Sequence, residues 1–178
     1  MNDFGLLLVR AKNGNQSAYG EIVQDFQDMA VGYAYALLGD MYLAEDAAQE
    51  AFIEAWRYLP KVYGPVTFPG WLRAIIFKQC DRLTRRRRLE TEPLENAEDV
   101  VSQAPGPVEQ LAQQEVNTLV YRAIQSLTEK ERQATLLFYI SDPSYQEIAG
   151  FLDISVITVK SRLHTATSDT NFTSSTQS

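Results

Sequence analysis

Cysteine, histidine and long apolar runs are what this sequence has least of. One cysteine, Cys80, and one histidine, His164, leave nothing to form an internal disulfide or a cysteine-based zinc site. A lone thiol suits a reducing compartment. No stretch approaches the ~20 apolar residues of a membrane span. The start, Met-Asn-Asp-Phe-Gly-Leu-Leu-Leu-Val-Arg, sets an acid before only a short apolar run, unlike a signal peptide. A cytoplasmic protein without membrane insertion is expected. The carboxylates have no accompanying nucleophile, metal-ligand cluster or glycine-rich phosphate loop, so neither catalysis nor a cofactor or metal is expected. Internal repeats and strand-like alternation are missing as well.

Positive charge is absent from one long stretch. Residues 89–118 carry seven acids (Glu90, Glu92, Glu95, Glu98, Asp99, Glu109 and Glu115) and no lysine or arginine. Residues 1–88 hold 11 Lys/Arg against 10 Asp/Glu, and residues 119–178 hold five against six. The net charge of −7 therefore comes from the middle. The flanks keep basic clusters, and local patches rather than overall charge decide nucleic-acid binding.

What is present has helical period. Tyr19, Ile22, Val23, Phe26, Met29, Ala30, Tyr33 and Leu37 recur at the three-and-four spacing of a core-facing helix. Gly39-Asp40 stops that helix and caps the next, whose inner side is Ala44, Ala47, Ala48, Ala51, Phe52, Ala55, Trp56 and Leu59. The segment 60–69, with Gly64-Pro65, reads as a loop. A third helix is expected from about Gly70 through Leu72, Ile75, Ile76 and Leu83 into Arg85-Arg86-Arg87-Arg88. The periodicity then dissolves across Ala-Pro-Gly-Pro and resumes at Leu111. The expected fold is all-α, with two small helical domains on a flexible acidic linker. Residues 1–88 form the first domain, 89–107 the linker and 108–166 the second domain. The Ser/Thr-rich residues 167–178 are expected to be a disordered tail.

Three surfaces carry chemistry. Asp46, Gln49, Glu50, Ile53 and Arg57 share one helix stripe, and an isoleucine among carboxylates suggests an interface with a charged rim rather than a solvated face. Arg73, Lys78, Arg82 and the run Arg85 to Arg88 follow the aromatics Tyr63, Phe68 and Trp71. Cations that track phosphates beside rings that accept unstacked bases are the ingredients of single-strand binding, although Trp71 and Phe68 also suit a core. The third surface lies within 144–166. Ser144 and Glu147 make a capping box, Asp153-Ile154 turns, and Ser155 caps a helix with a dry side of Val156, Val159 and Leu163. Its other side offers Thr158, Lys160, Ser161, Arg162 and His164, donors that fit a major groove as in a helix-turn-helix.

Taken in order, three motifs make the chain resemble an extracytoplasmic-function (ECF) sigma factor of bacterial RNA polymerase, within the sigma-70 family. They are Ala44-Glu45-Asp46-Ala47-Ala48-Gln49-Glu50-Ala51-Phe52, then Phe68-Pro69-Gly70-Trp71-Leu72. The last is Ser144-Tyr145-Gln146-Glu147-Ile148-Ala149 leading to Thr158-Val159-Lys160-Ser161-Arg162-Leu163. The resemblance covers roughly residues 7–166. It implies that Asp46, Gln49, Glu50 and Ile53 dock on the coiled coil of the polymerase's largest subunit. It implies that the loop 60–69 and the basic helix melt and hold the minus-ten element, through Phe68, Trp71, Arg73, Lys78, Arg82 and Arg85. Ser155, Thr158, Lys160, Ser161, Arg162 and His164 then read the minus-thirty-five element. Core polymerase and promoter DNA are the implied partners, with an anti-sigma factor as a further candidate. Promoter-directed initiation is the implied function. The alternatives are a sigma-like protein that occupies core without initiating, and a stand-alone helix-turn-helix regulator.

Two departures from the family pattern stand out. Lys78-Gln79-Cys80 lies where many members carry an asparagine. The recognition helix usually continues through more arginines and lysines, yet here nine Ser/Thr and no cation fill the 14 residues from Thr165. Such residues are poor helix formers, so the helix is expected to fray soon after Leu163.

Overall fold

A computed structural model describes residues 4–91 and 118–175, which are helical with turns between and contain no strand. The helices are α1 (Phe4–Lys12), α2 (Gln16–Leu38), α3 (Met41–Tyr58), α4 (Phe68–Thr91), α5 (118–126), α6 (Glu129–Ser141), α7 (Tyr145–Leu152) and α8 (Val156–Ser175). A single 3-10 turn, Leu59–Lys61, follows α3.

Several helix ends have identifiable local causes. Asn15 opens α2 by accepting from the Ala18 N–H at 2.9 Å. Gly39 closes it in the left-handed conformation (φ +66°), returning its N–H to the Tyr35 carbonyl. Asp40 then caps α3 through the Leu43 N–H at 3.1 Å. The expected Ser144–Glu147 capping box forms, and Thr128 makes a second one with Glu131.

Small side chains set how closely α2 and α3 approach. Ala44, Ala47, Ala48, Ala51 and Ala55 of α3 are all buried, so the helix presents a flat face where it packs on α2, whose Ala18, Ile22 and Ala30 are buried too. Below them, Phe4, Phe26, Phe68 and Trp71 form an aromatic cluster with ring centroids 5.2–5.8 Å apart. The tilted and edge-on geometry favours such pairs beyond their buried area.

The two halves share this core. Buried residues run continuously from Leu7 of α1 to Val159 of α8. Tyr33 of α2 meets Phe151 of α7 edge-on at 5.6 Å. Helix α6 packs over Gly32, where a Cβ would meet the Leu136 carbonyl at 3.5 Å and Ile140 at 3.6 Å, ordinary van der Waals distances. Burial of this kind contributes about 1.5–3 kcal/mol for each large side chain.

Three expectations differ from the structure. Helix α4 begins at Phe68, two residues before Gly70, and extends through residues 89–91 of the expected linker. Residues 92–117, with the rest of that linker, lie outside the described residues. Helix α8 does not fray after Leu163 but runs to Ser175, across most of the expected disordered tail. Hydroxyls that compete with a helix are here turned back onto it. Thr165 donates to the Ser161 carbonyl (3.0 Å), Thr167 to Leu163 (2.9 Å) and Ser168 to His164 (3.0 Å). Ala166 adds a buried anchor one turn beyond Leu163.

Candidate nucleic-acid and partner interfaces

Helix α3 faces two ways. Its alanine side is buried, whereas Asp46, Gln49, Glu50, Ile53 and Arg57 all stand in solvent on the other side. Ile53 is 49% exposed, an unprotected apolar centre among charges. Behind it Tyr19 packs on Trp56 (4.8 Å) and donates its hydroxyl to the Phe52 carbonyl. Burial pushes that phenol's pKa up. The stripe is therefore backed by a rigid floor. A groove beside it is lined by Val23, Asp28, Val31 and Gln49, and Ile140 of α6 forms part of its wall.

The basic surface is built on α4 and the loop before it. Lys12 donates to the Val62 carbonyl at 2.6 Å, and Thr67 donates to that of Gly64 at 3.0 Å, so the loop is tied at both ends. Between the ties Tyr63 and Val66 project into solvent, 99% and 90% exposed. Trp71 is half-buried at the base of the loop. Arg82 and Arg85 to Arg88 are exposed along one end of α4, and Arg85 pairs with Asp81 at 2.8 Å.

Phe68 requires a correction. It is fully buried within the aromatic cluster, so it has no face to offer a base, and it shapes the loop from beneath. Arg73 is half-buried, with a buried Nε that has no hydrogen-bond partner among the described residues, and its charge offsets part of the burial-driven rise in the Tyr33 pKa. Lys78 is exposed but engaged, its ammonium 2.7 Å from Glu54 of α3. Hydrogen bonding to Glu54 holds its pKa above the usual lysine range. Glu54 is absent from the sequence-level candidates because a partner 24 residues away leaves no periodic signal.

The third surface is the α7–α8 pair. Asp153 turns in the left-handed region (φ 55°), and the Ser155 hydroxyl accepts from the Thr158 N–H at 3.1 Å, opening α8. Val159 is fully buried against α7, which leaves Ser155, Lys160, Ser161 and His164 exposed, with Thr158 and Arg162 half-buried. The six candidates thus share the helix's outer side or its edges. The Lys160 ammonium lies 5.7 Å from the centroid of the Tyr145 ring. A groove of about 850 Å³ opens between α5, α6 and α8, lined by Val120, Ile124, Phe138, Tyr145, Leu163 and His164 among others. Its apolar wall comes from elements far apart in sequence, so periodicity alone could not reveal it.

Comparisons with known proteins match two regions of this chain. Residues 22–90 match the family model Sigma-70 region 2, and residues 118–167 match Sigma-70, region 4. The chain is 33% identical to the probable RNA polymerase sigma factor RfaY of Xanthomonas campestris pv. campestris over 89% of this chain and 41% of that one. It is 34% identical to the ECF RNA polymerase sigma factor SigE of Mycolicibacterium smegmatis, over 85% and 60%. It is 30% identical to the ECF RNA polymerase sigma factor SigW of Bacillus subtilis, over 87% and 88%. It thus spans about half the length of the first two relatives and most of the third. The fold resembles that of CnrH in complex with the cytosolic domain of CnrY, with a TM-score of 0.62 at 24% identity, covering 99% of this chain and 100% of that one. With both regions in order and a near full-length ECF relative, this chain belongs to the sigma-70 family, in its extracytoplasmic-function group.

Proposed function

We propose that this chain is a promoter-specificity subunit of RNA polymerase, acting in the cytoplasm by binding rather than by catalysis. The observation that carries the reading is the two-faced α3. Its buried side is alanine, and its open side sets Ile53 among Asp46, Gln49 and Glu50. Such a patch fits a basic, partly apolar helical partner, here the coiled coil of the polymerase's largest subunit. Promoter DNA then meets two surfaces. Tyr63, Trp71, Arg82, Arg85 and the arginines after it hold the melted minus-ten strand. Ser155, Thr158, Lys160, Ser161, Arg162 and His164 meet the minus-thirty-five duplex.

An anti-sigma factor is the further partner we propose. The solved relative CnrH is bound to the cytosolic domain of CnrY, and a sigma factor RpoE from Bartonella quintana to the anti-sigma factor NepR. The apolar groove between α5, α6 and α8 offers such a partner a place for a helix.

Run-off transcription by purified core polymerase on a promoter library, with and without the chain, tests this function. Chain-dependent transcripts are expected, and their absence from every template would overturn it. One observation favours a second reading, that the chain occupies core without initiating: no cation follows Arg162 on α8. Core binding without transcripts would establish that reading. DNA binding without affinity for core would instead mark a stand-alone regulator.

A further inference from the structure

Glu54 sits on α3, between its open stripe and its alanine face. Its side chain is only 19% exposed, and both carboxylate oxygens are committed. Oε1 accepts from Lys78 Nζ at 2.7 Å and Oε2 from Gln79 Nε2 at 2.5 Å. Gln79 is the one polar side chain that is buried among the described residues, 5% exposed. One carboxylate thus grips two consecutive residues of α4, one buried and one in solvent. Consecutive helical residues point about 100° apart, so a grip on both fixes the rotation of α4 about its own axis relative to α3. We propose that Glu54 is a positioning residue for the nucleic-acid face of α4, one that sets which side of the helix faces DNA and withdraws Lys78 from phosphate contact.

The neighbours of Lys78 support the second half of this statement. Glu54 and Tyr58 of α3 face it from one side, and Arg82 lies near it on α4. Arg82 is exposed and in no ion pair within 4.0 Å among the described residues, so it keeps its charge for phosphate, whereas the charge of Lys78 is matched by Glu54. Two basic residues one turn apart on the same helix are thereby given different roles by one acid on another helix. The same grip joins the helix proposed to meet polymerase to the helix proposed to meet DNA.

The inference rests on reading α4 as a nucleic-acid face, and the test separates the two. Holoenzyme reconstituted with core polymerase is titrated against a promoter fragment that the wild type selects from a random library, at several salt concentrations. Each phosphate contact on a single strand adds about 0.7 to the slope of log affinity against log salt. Lys78→Ala, a change at an exposed position, is expected to leave that slope unchanged, whereas Arg82→Ala lowers it by about 0.7. Glu54→Gln keeps an acceptor for Gln79 but frees Lys78, so the slope should rise by a similar amount. Adding Lys78→Ala to Glu54→Gln should return it to the wild-type value. A fall in slope with Lys78→Ala alone would overturn the inference, as would an unchanged slope with Glu54→Gln. If Arg82→Ala also leaves the slope unchanged, or the wild type selects no fragment, the reading of α4 fails and the inference goes with it.

Discussion

Glu50 stands in open solvent one turn before Ile53, with its backbone held by a helix whose other side is wholly buried. A charge reversal there changes the surface without touching the core. Glu50→Lys should abolish co-purification with core polymerase while leaving the circular dichroism and melting temperature unchanged. Disrupting a charge-complementary contact of this kind costs about 2–5 kcal/mol. Undiminished affinity in the folded mutant would remove Glu50 from the interface. Acid–base behaviour inside the core is just as local. Burial pushes the Cys80 thiol from its ordinary 9.0 to about 12, and it raises the Tyr19, Tyr33 and Tyr35 phenols as well. In each case the folded state favours the protonated form. The stability linked to Cys80 is therefore complete below about pH 9 and is lost as pH rises towards 12. Urea midpoints should hold steady from neutral pH to about 9 and fall by about pH 10.5. The Cys80→Ala variant should lose less over the same interval.

Of the two helices proposed to meet DNA, α4 and α8, the latter carries fewer cations. Lys160 and Arg162 are its cations, with His164 beside them. On duplex DNA each phosphate neutralised contributes about 0.9 to the salt slope, so α8 supplies a slope of roughly two at most. Arg162→Ala should weaken holoenzyme binding chiefly on promoters with an upstream element and lower the salt slope there by about 0.9. Footprinting of promoters with and without that element checks this. Helix boundaries were legible in the sequence because caps are local. Gly39-Asp40, Thr128-Glu131 and Ser144-Glu147 each announce an end within four residues, and each cap forms. The α3 stripe was legible for a similar reason, since helical spacing alone puts Asp46, Gln49, Glu50 and Ile53 on one side. Phe68 was misread as a DNA contact because its motif says nothing about depth, and the partners that bury it come from α1 and α2. The grip of Glu54 on Lys78 and the length of α8 were hidden too. The first depends on pairing across helices, and the second on hydroxyls bonding back to carbonyls rather than away from them.

For the molecule as a whole, the shared core predicts that the two halves unfold as one thermodynamic unit. Phe151 is fully buried on α7 and reaches Tyr33 on α2, so Phe151→Ala should cost about 3–5 kcal/mol. Both tryptophans, Trp56 and Trp71, belong to the N-terminal half. Their fluorescence should nevertheless report the loss, as a single denaturation transition shifted to lower urea. Unshifted tryptophan fluorescence, with helicity lost in a separate step, would show that the halves unfold independently. The same contact has a consequence during synthesis. Tyr33 leaves the ribosome ~120 residues before Phe151, which at about 5–20 residues per second is an interval of roughly 6–24 s. Throughout that time Tyr33 lacks its α7 partner, although α4 with Arg73 and Cys80 arrives earlier, and Gly32 waits for α6. The apolar surface there is expected to stay open to chaperones and proteases until the ribosome delivers α6 and α7.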